Sequence, residues 1–245
     1  MKKLIIANWK MQRGYRESLS LAKELVKKLP KKTPNGAREI VLCPDYLSLS
    51  AVGDILKKTT LKLGAQDSAP ADKGAYTGEV SPAELKKLGV KYVILGHSER
   101  RRHLREESLL INAKIKAALA RKLIPVLCVG ENLSQKEGGL AKKFLNEELR
   151  QALKGVKIKT AADLVIAYEP LWAIGTGQPI IPLEAEIINR FLTERAAMIL
   201  SKKVRVLYGG SVDATNAGEF LKQKHVAGLL VGGASLRAAE FSKIN

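Results

Sequence analysis

Aromatic residues are scarce in this 245-residue chain, 5% in all, as four Phe, two Trp and six Tyr. That excludes the row of stacking side chains on which single-stranded nucleic acids are bound. Cysteine is scarcer. Cys43 and Cys128 each close an apolar run, and neither has the nearby partner that a redox motif, a disulfide framework or a zinc site requires. Both read as reduced thiols in packed surroundings. No apolar run approaches a membrane span, and Leu4 to Ala7, between Met1-Lys2-Lys3 and Asn8, is too short for the core of a signal peptide. A soluble, cytoplasmic protein with no membrane partner is expected.

Negative charge is the remaining shortage. Asp and Glu number 24 against 42 Lys and Arg, a net +18, which raises the question of nucleic acid or an anionic membrane. The placement of the charge argues against both. Lys27-Lys28, Lys57-Lys58, Lys86-Lys87 and Lys202-Lys203 fall near the predicted C-terminal ends of four different helices, where the helix dipole favours cations. They read as separate solvated caps, and no specific nucleic-acid partner is expected.

What the chain does have is apolar periodicity. Hydrophobic residues are 46% of it, enough for one large core at this length. Strand candidates recur at Leu4 to Ala7, Ile40 to Cys43, Leu61 to Ala65, Tyr92 to Leu95, Ile124 to Val129, Leu164 to Tyr168, Val204 to Tyr208 and Gly228 to Val231. Amphipathic stretches lie between them, at Ser18 to Leu29, Ser108 to Arg121, Leu140 to Leu153 and Ala214 to Lys222, and a helix resumes after Pro182. Ser81-Pro82-Ala83-Glu84 has the form of a capping box with Pro in the first turn. Eight strands alternating with helices, with no linker or break in composition, predict an α/β chain: one closed (β/α)8 barrel over residues 1–245.

In such a barrel the strand ends share one rim, and catalytic groups sit there. That rim gathers Asn8, Lys10, His97, Cys128, Glu169, Ser211, Gly232 and Gly233, while the helix-end lysines fall on the opposite rim. Glu169 ends an apolar strand and precedes a loop with Pro170, Trp172 and Ile174. A carboxylate there becomes a stronger proton acceptor when the loop closes over it. Alone, Glu169 reads equally as a solvated loop residue, Lys10 as a surface lysine and His97 as a hydrogen-bonded structural residue. The Gly-Gly turns after strands seven and eight, Gly209-Gly210-Ser211 and Gly232-Gly233, leave backbone N–H groups free beside helix starts, which suits a phosphate monoester.

Taken in order, Ala-Asn-Trp-Lys at 7–10, Gly-His-Ser-Glu-Arg-Arg at 96–101, Ala-Tyr-Glu-Pro at 167–170, Trp-Ala-Ile-Gly-Thr-Gly at 172–177, Tyr-Gly-Gly-Ser-Val at 208–212 and Val-Gly-Gly-Ala-Ser-Leu at 231–236 resemble the triosephosphate isomerase family. The resemblance runs from Ile6 to about Leu236. It implies a single-domain TIM barrel that interconverts dihydroxyacetone phosphate and D-glyceraldehyde 3-phosphate through an enediolate, without metal or organic cofactor. By the same resemblance Glu169 is the base, His97 a neutral electrophile at a helix N-terminus, and Asn8 and Lys10 hold the substrate and offset its charge. Gly175, Ser211, Gly232 and Gly233 would bind phosphate, and Glu99 would orient Lys10. The loop from Pro170 to Ile180 would exclude water.

The resemblance also implies a homodimer, with a higher oligomer as an alternative, in which the segment Gly74 to Glu79 docks into the neighbouring subunit. The chain departs from the family at Gln178-Pro179-Ile180 and Leu171 in the lid hinges, and at Asp67, where Asn is common and a dimer contact could change. Two other readings compete. A different sugar-phosphate isomerase or epimerase barrel would share the phosphate turns but not the trio Lys10, His97 and Glu169. A non-catalytic basic barrel that binds polyanions would explain the charge but leave that trio unexplained.

Overall fold

The computed structural model describes residues 2–29, 38–173 and 180–244. Eight strands, β1 (Lys3–Asn8), β2 (Arg38–Cys43), β3 (Lys62–Ala65), β4 (Val90–Leu95), β5 (Ile124–Val129), β6 (Val165–Tyr168), β7 (Arg205–Tyr208) and β8 (Gly228–Val231), close in sequence order into one barrel. Every described pairing is parallel, including β1 with β8. Between and after the strands lie α1 (Tyr15–Lys28), α2 (Tyr46–Leu56), α3 (Pro82–Lys87), α4 (Ser98–Leu104), α5 (Ser108–Ala120), α6 (Leu133–Glu137), α7 (Ala141–Ala152), α8 (Pro182–Leu200), α9 (Ala217–Lys222) and α10 (Ala238–Ile244). Among the described residues no helix is long and apolar enough to cross a membrane.

The two-residue period of a strand splits the core into two shells. Leu4, Ile6, Val41, Cys43, Ile94, Val126, Cys128, Val165, Ala167, Leu207 and Leu230 fill the barrel interior. Their neighbours Ile5, Ala7, Leu42, Val93, Leu127 and Ile166 pack outward against helices. Each fully buried aliphatic side chain contributes about 1.5–3 kcal/mol, and a slip of one residue in any strand would exchange the shells. The same parity puts Asn8, the last residue of β1, in line with Leu4 and Ile6, and Glu169, one step past β6, in line with Val165 and Ala167. Both residues are buried.

Strand starts and ends agree with the sequence pattern to within about two residues. The helix expected from Ala214 starts instead at Ala217, because Asp213 Oδ1 accepts from the N–H groups of Thr215 and Asn216 and holds that stretch as a turn. Ser81 caps α3 by accepting from the N–H groups of Ala83 and Glu84, but Glu84 turns forward to Lys87 at 2.8 Å, so the expected box is half formed. The lysine pairs lie where the dipole argument puts them. Lys27-Lys28 and Lys86-Lys87 are in the last turns of α1 and α3, and Lys57 and Lys202 follow the ends of α2 and α8.

Candidate active site

At the strand-end rim one cleft of about 390 Å³ is lined by Asn8, Lys10, His97, Glu169, Ser211, Gly232 and Gly233, among others. All seven are candidates on the sequence pattern alone. Gly175, the remaining candidate, lies outside the described residues, as does Pro179.

Lys10 reaches the cleft through a left-handed backbone, φ 53°, a conformation that costs a non-glycine residue about 1–3 kcal/mol and persists only where its surroundings impose it. Two contacts impose it here. Asn8 Oδ1 accepts the Lys10 N–H at 3.1 Å, and Gln66 Nε2 donates to the carbonyls of Lys10 and Cys43 at 2.8 and 3.0 Å. Lys10 Nζ then pairs with Glu99 Oε1 at 2.5 Å. Burial works against the Glu99 carboxylate, but the hydrogen bond and charge of Lys10 outweigh it and hold this carboxyl below its usual range.

His97 is the N-cap of α4, and its Nδ1 accepts the backbone N–H of Glu99 at 3.2 Å. An acceptor nitrogen carries no proton, so the hydrogen-bond network assigns a neutral ring with its proton on Nε2. Nε2 stands 3.2 Å from Glu169 Oε1, and the Ser98 N–H donates to Glu169 Oε2 at 3.3 Å. Glu169 is 2% exposed. The carboxylate thus rests on a histidine and on the first free N–H of a helix, where the dipole favours negative charge.

Glycines give Glu169 its room. A Cβ on Gly130 would stand 1.7 Å from the Glu169 carbonyl oxygen, and one on Gly209 would stand 3.0 Å from Glu169 Cγ. Beneath the site lies Cys128, fully enclosed; burial and then the Glu169 charge push its thiol well up, with Arg101 opposing. Cys128 supports the floor and does not line the cleft.

A match to the family model for triosephosphate isomerase covers residues 3–245. The chain belongs to the triosephosphate isomerase family. It is similar to curated triosephosphate isomerases from Thermoanaerobacter pseudethanolicus, 41% identical with 100% of this chain and 99% of the relative covered, and from Dictyoglomus thermophilum, 42% identical with 99% and 98% covered. The enzyme of that name from Rhodopirellula baltica is 42% identical, with 98% and 95% covered.

Three supports of this triosephosphate isomerase site were not assigned from sequence. Glu131 is buried, and its Oε1 accepts from Tyr168 OH and Trp172 Nε1, both at 2.9 Å, bracing the residues on either side of Glu169-Pro170. Arg101 donates to the carbonyls of Gly96 and Cys128 and pairs with Glu148, which receives the Gly130 N–H, so the ends of β4 and β5 are locked to α7. Gln66 joins β1 to β2 as described above. Only the polar character of Gln66, Arg101 and Glu131 beside strand ends hinted at this, and the partners are tertiary. Asp67, where a dimer contact could change, is buried and bound within its own subunit, to Lys114 at 2.7 Å and Arg100 at 2.8 Å.

Proposed function

We propose that this protein interconverts dihydroxyacetone phosphate and D-glyceraldehyde 3-phosphate, with Glu169 as the base, His97 as the electrophile and Lys10 as the cation that holds the anionic substrate. The observation that carries the reading is a buried carboxylate 3.2 Å from the proton-bearing nitrogen of a neutral histidine, in a cleft shared with Lys10 and two Gly-Gly turns. A carbon acid needs a base fixed against the carbon and a donor fixed against the oxygen that becomes negative. Glu169 and His97 supply one each.

The chemistry closes on these groups. Glu169 leaves the Ser98 N–H and takes a proton from C1 of dihydroxyacetone phosphate. The C–H electron pair becomes the C1–C2 double bond, and the carbonyl pair moves onto O2, where His97 Nε2–H and Lys10 offset the charge. Moving the hydroxyl proton from O1 to O2 and returning the proton held by Glu169 to C2 gives the aldehyde. Asn8 holds the substrate beside Lys10, and Ser211 and the N–H groups at Gly232 and Gly233 hold the phosphate end, so the reacting carbons stay in register with the base.

The protein acts as a homodimer in the cytoplasm. Met11 is 92% exposed and Leu47 86%; Met11 and the half-exposed Tyr76 stand on the loops following β1 and β3, and the partly exposed Tyr46 opens α2 with Leu47 after β2. Apolar surface of that extent calls for a covering partner, and a second copy using the same patch covers both.

Proton nuclear magnetic resonance in deuterated water tests the reaction. Incubating the protein with D-glyceraldehyde 3-phosphate is expected to yield dihydroxyacetone phosphate bearing solvent deuterium at C1. Product without any exchange would point to hydride transfer and against a carboxylate base.

A further inference from the structure

The opposite rim of the barrel gathers positive charge that the isomerase site does not use. The sequence reads its lysines as separate helix caps, but closure of the barrel brings every helix end and every strand start to one face. Five described turns lead from a helix end into a strand and carry charge: Lys57 and Lys58 before β3, Arg121 and Lys122 before β5, three lysines within 153–164 before β6, Lys202 and Lys203 before β7, and Lys224 before β8. Lys57 and Arg121 pair with Asp54 and Asp72 from outside the turns, and against the ten cations the turns themselves hold one carboxylate, Asp163. It is already engaged by the N–H groups of Lys159 and Thr160 and the Thr160 hydroxyl.

At the centre of this face is a cavity of about 300 Å³ lined by Lys2, Lys91, Lys203, Arg205, Tyr92 and Glu39, with Ile124, Ala161 and Ala162. Glu39 neutralises only part of it, pairing with Lys91 at 2.6 Å and Arg205 at 3.5 Å. Lys2 and Lys203 are exposed and have no ion-pair partner among the described residues. Glu194, whose carboxyl feels the Lys203 charge, is committed to Arg190 at 2.9 Å. Tyr92 is fully buried and receives the Arg205 guanidinium at 3.1 Å, so it offers no ring for a base to stack on.

We propose that this strand-start face is a second binding surface, which holds the phosphate backbone of duplex nucleic acid without reading its sequence. Excess positive charge spread across a whole face suits an extended polyanion more than one small anion. The absence of an exposed aromatic in the cavity disfavours single strands, and a backbone-only surface gives affinity that is electrostatic and sequence-independent.

Fluorescence anisotropy of a short labelled DNA duplex, titrated with the full chain at rising potassium chloride, tests this. Binding at low salt that weakens steeply with salt is expected. In the double variant Lys2→Glu and Lys203→Glu it should weaken about tenfold or more, with the salt exponent falling by about two. Isomerase turnover should be unchanged, because both lysines lie across the barrel from the cleft. No binding at low salt would overturn the proposal. So would binding that the double variant leaves intact, which would place the duplex on the catalytic mouth. Capture of phosphatidylserine vesicles without capture of duplex would overturn it as well.

Discussion

Because Nδ1 of His97 accepts the Glu99 N–H, the ring can offer substrate only the proton on Nε2. Replacing it with Gln keeps a donor but not that aim, and His97→Gln is expected to lower kcat about 10²–10³-fold, measured in a coupled isomerase assay. A loss under threefold would contradict the electrophile role. Asp67 makes a different prediction. Burial, with Glu106 adding, pushes its carboxyl up to about 6 against the pull of Lys114 and Arg100. A folded-state value above the unfolded one means that the folded protein holds the extra proton between about pH 4 and 6, so stability falls as pH rises through that window. An amide at this position has no such titration. The Tm of the wild type should therefore fall relative to that of Asp67→Asn as pH rises from about 4 to 8; a difference between the two that stays constant over that range would refute this. At this scale the strand ends put Asn8, Lys10, His97 and Glu169 on one rim, and the resemblance of their motifs to the family gave each its role. The sequence could not name Glu131, Arg101 or Gln66, whose importance lies in partners up to several strands away.

Elements place those residues. Strand parity aims Glu169 inward, and α4 presents His97 and the Ser98 N–H at its N-terminus. The two meet because β4, β5 and β6 end at one level around Gly130. That approach leaves no space for a Cβ. Gly130→Ala must push the end of β6 outward, and kcat is expected to fall at least tenfold even where circular dichroism shows a folded barrel. Unchanged kcat would mean that the strand end is free to move without affecting the base. Helix starts carry separable contributions to stability. Ser81→Ala removes the cap from α3 and is expected to cost about 1 kcal/mol, read from thermal or urea unfolding. The sequence showed strands well because apolar runs of four to six residues have few other uses. Helix starts showed less well because side-chain turns such as that of Asp213 compete locally with the helix.

For the whole molecule, alternation of eight strands with helices was enough to predict closure, while the fate of the surface depended on how the elements were brought together. Barrel closure sends the catalytic groups to one rim and most lysine-rich turns to the other. It also leaves Met11 and Leu47 exposed beside the site. Sedimentation velocity should show a dimer that shifts toward monomer in Leu47→Glu, with dissociation strengthened about tenfold or more; a dimer of unchanged stability would place the interface elsewhere. In the proposed mechanism the activity belongs to the assembled barrel and depends on one carboxylate within it. The most direct test is the rate of D-glyceraldehyde 3-phosphate isomerisation by the wild type and by Glu169→Gln at equal concentration. Rapid turnover that drops about 10³-fold or more in the variant, with unchanged unfolding temperature, is the predicted result. Equal turnover in the two proteins, or none in a folded wild type, would contradict the assignment of Glu169 as the base of an isomerase.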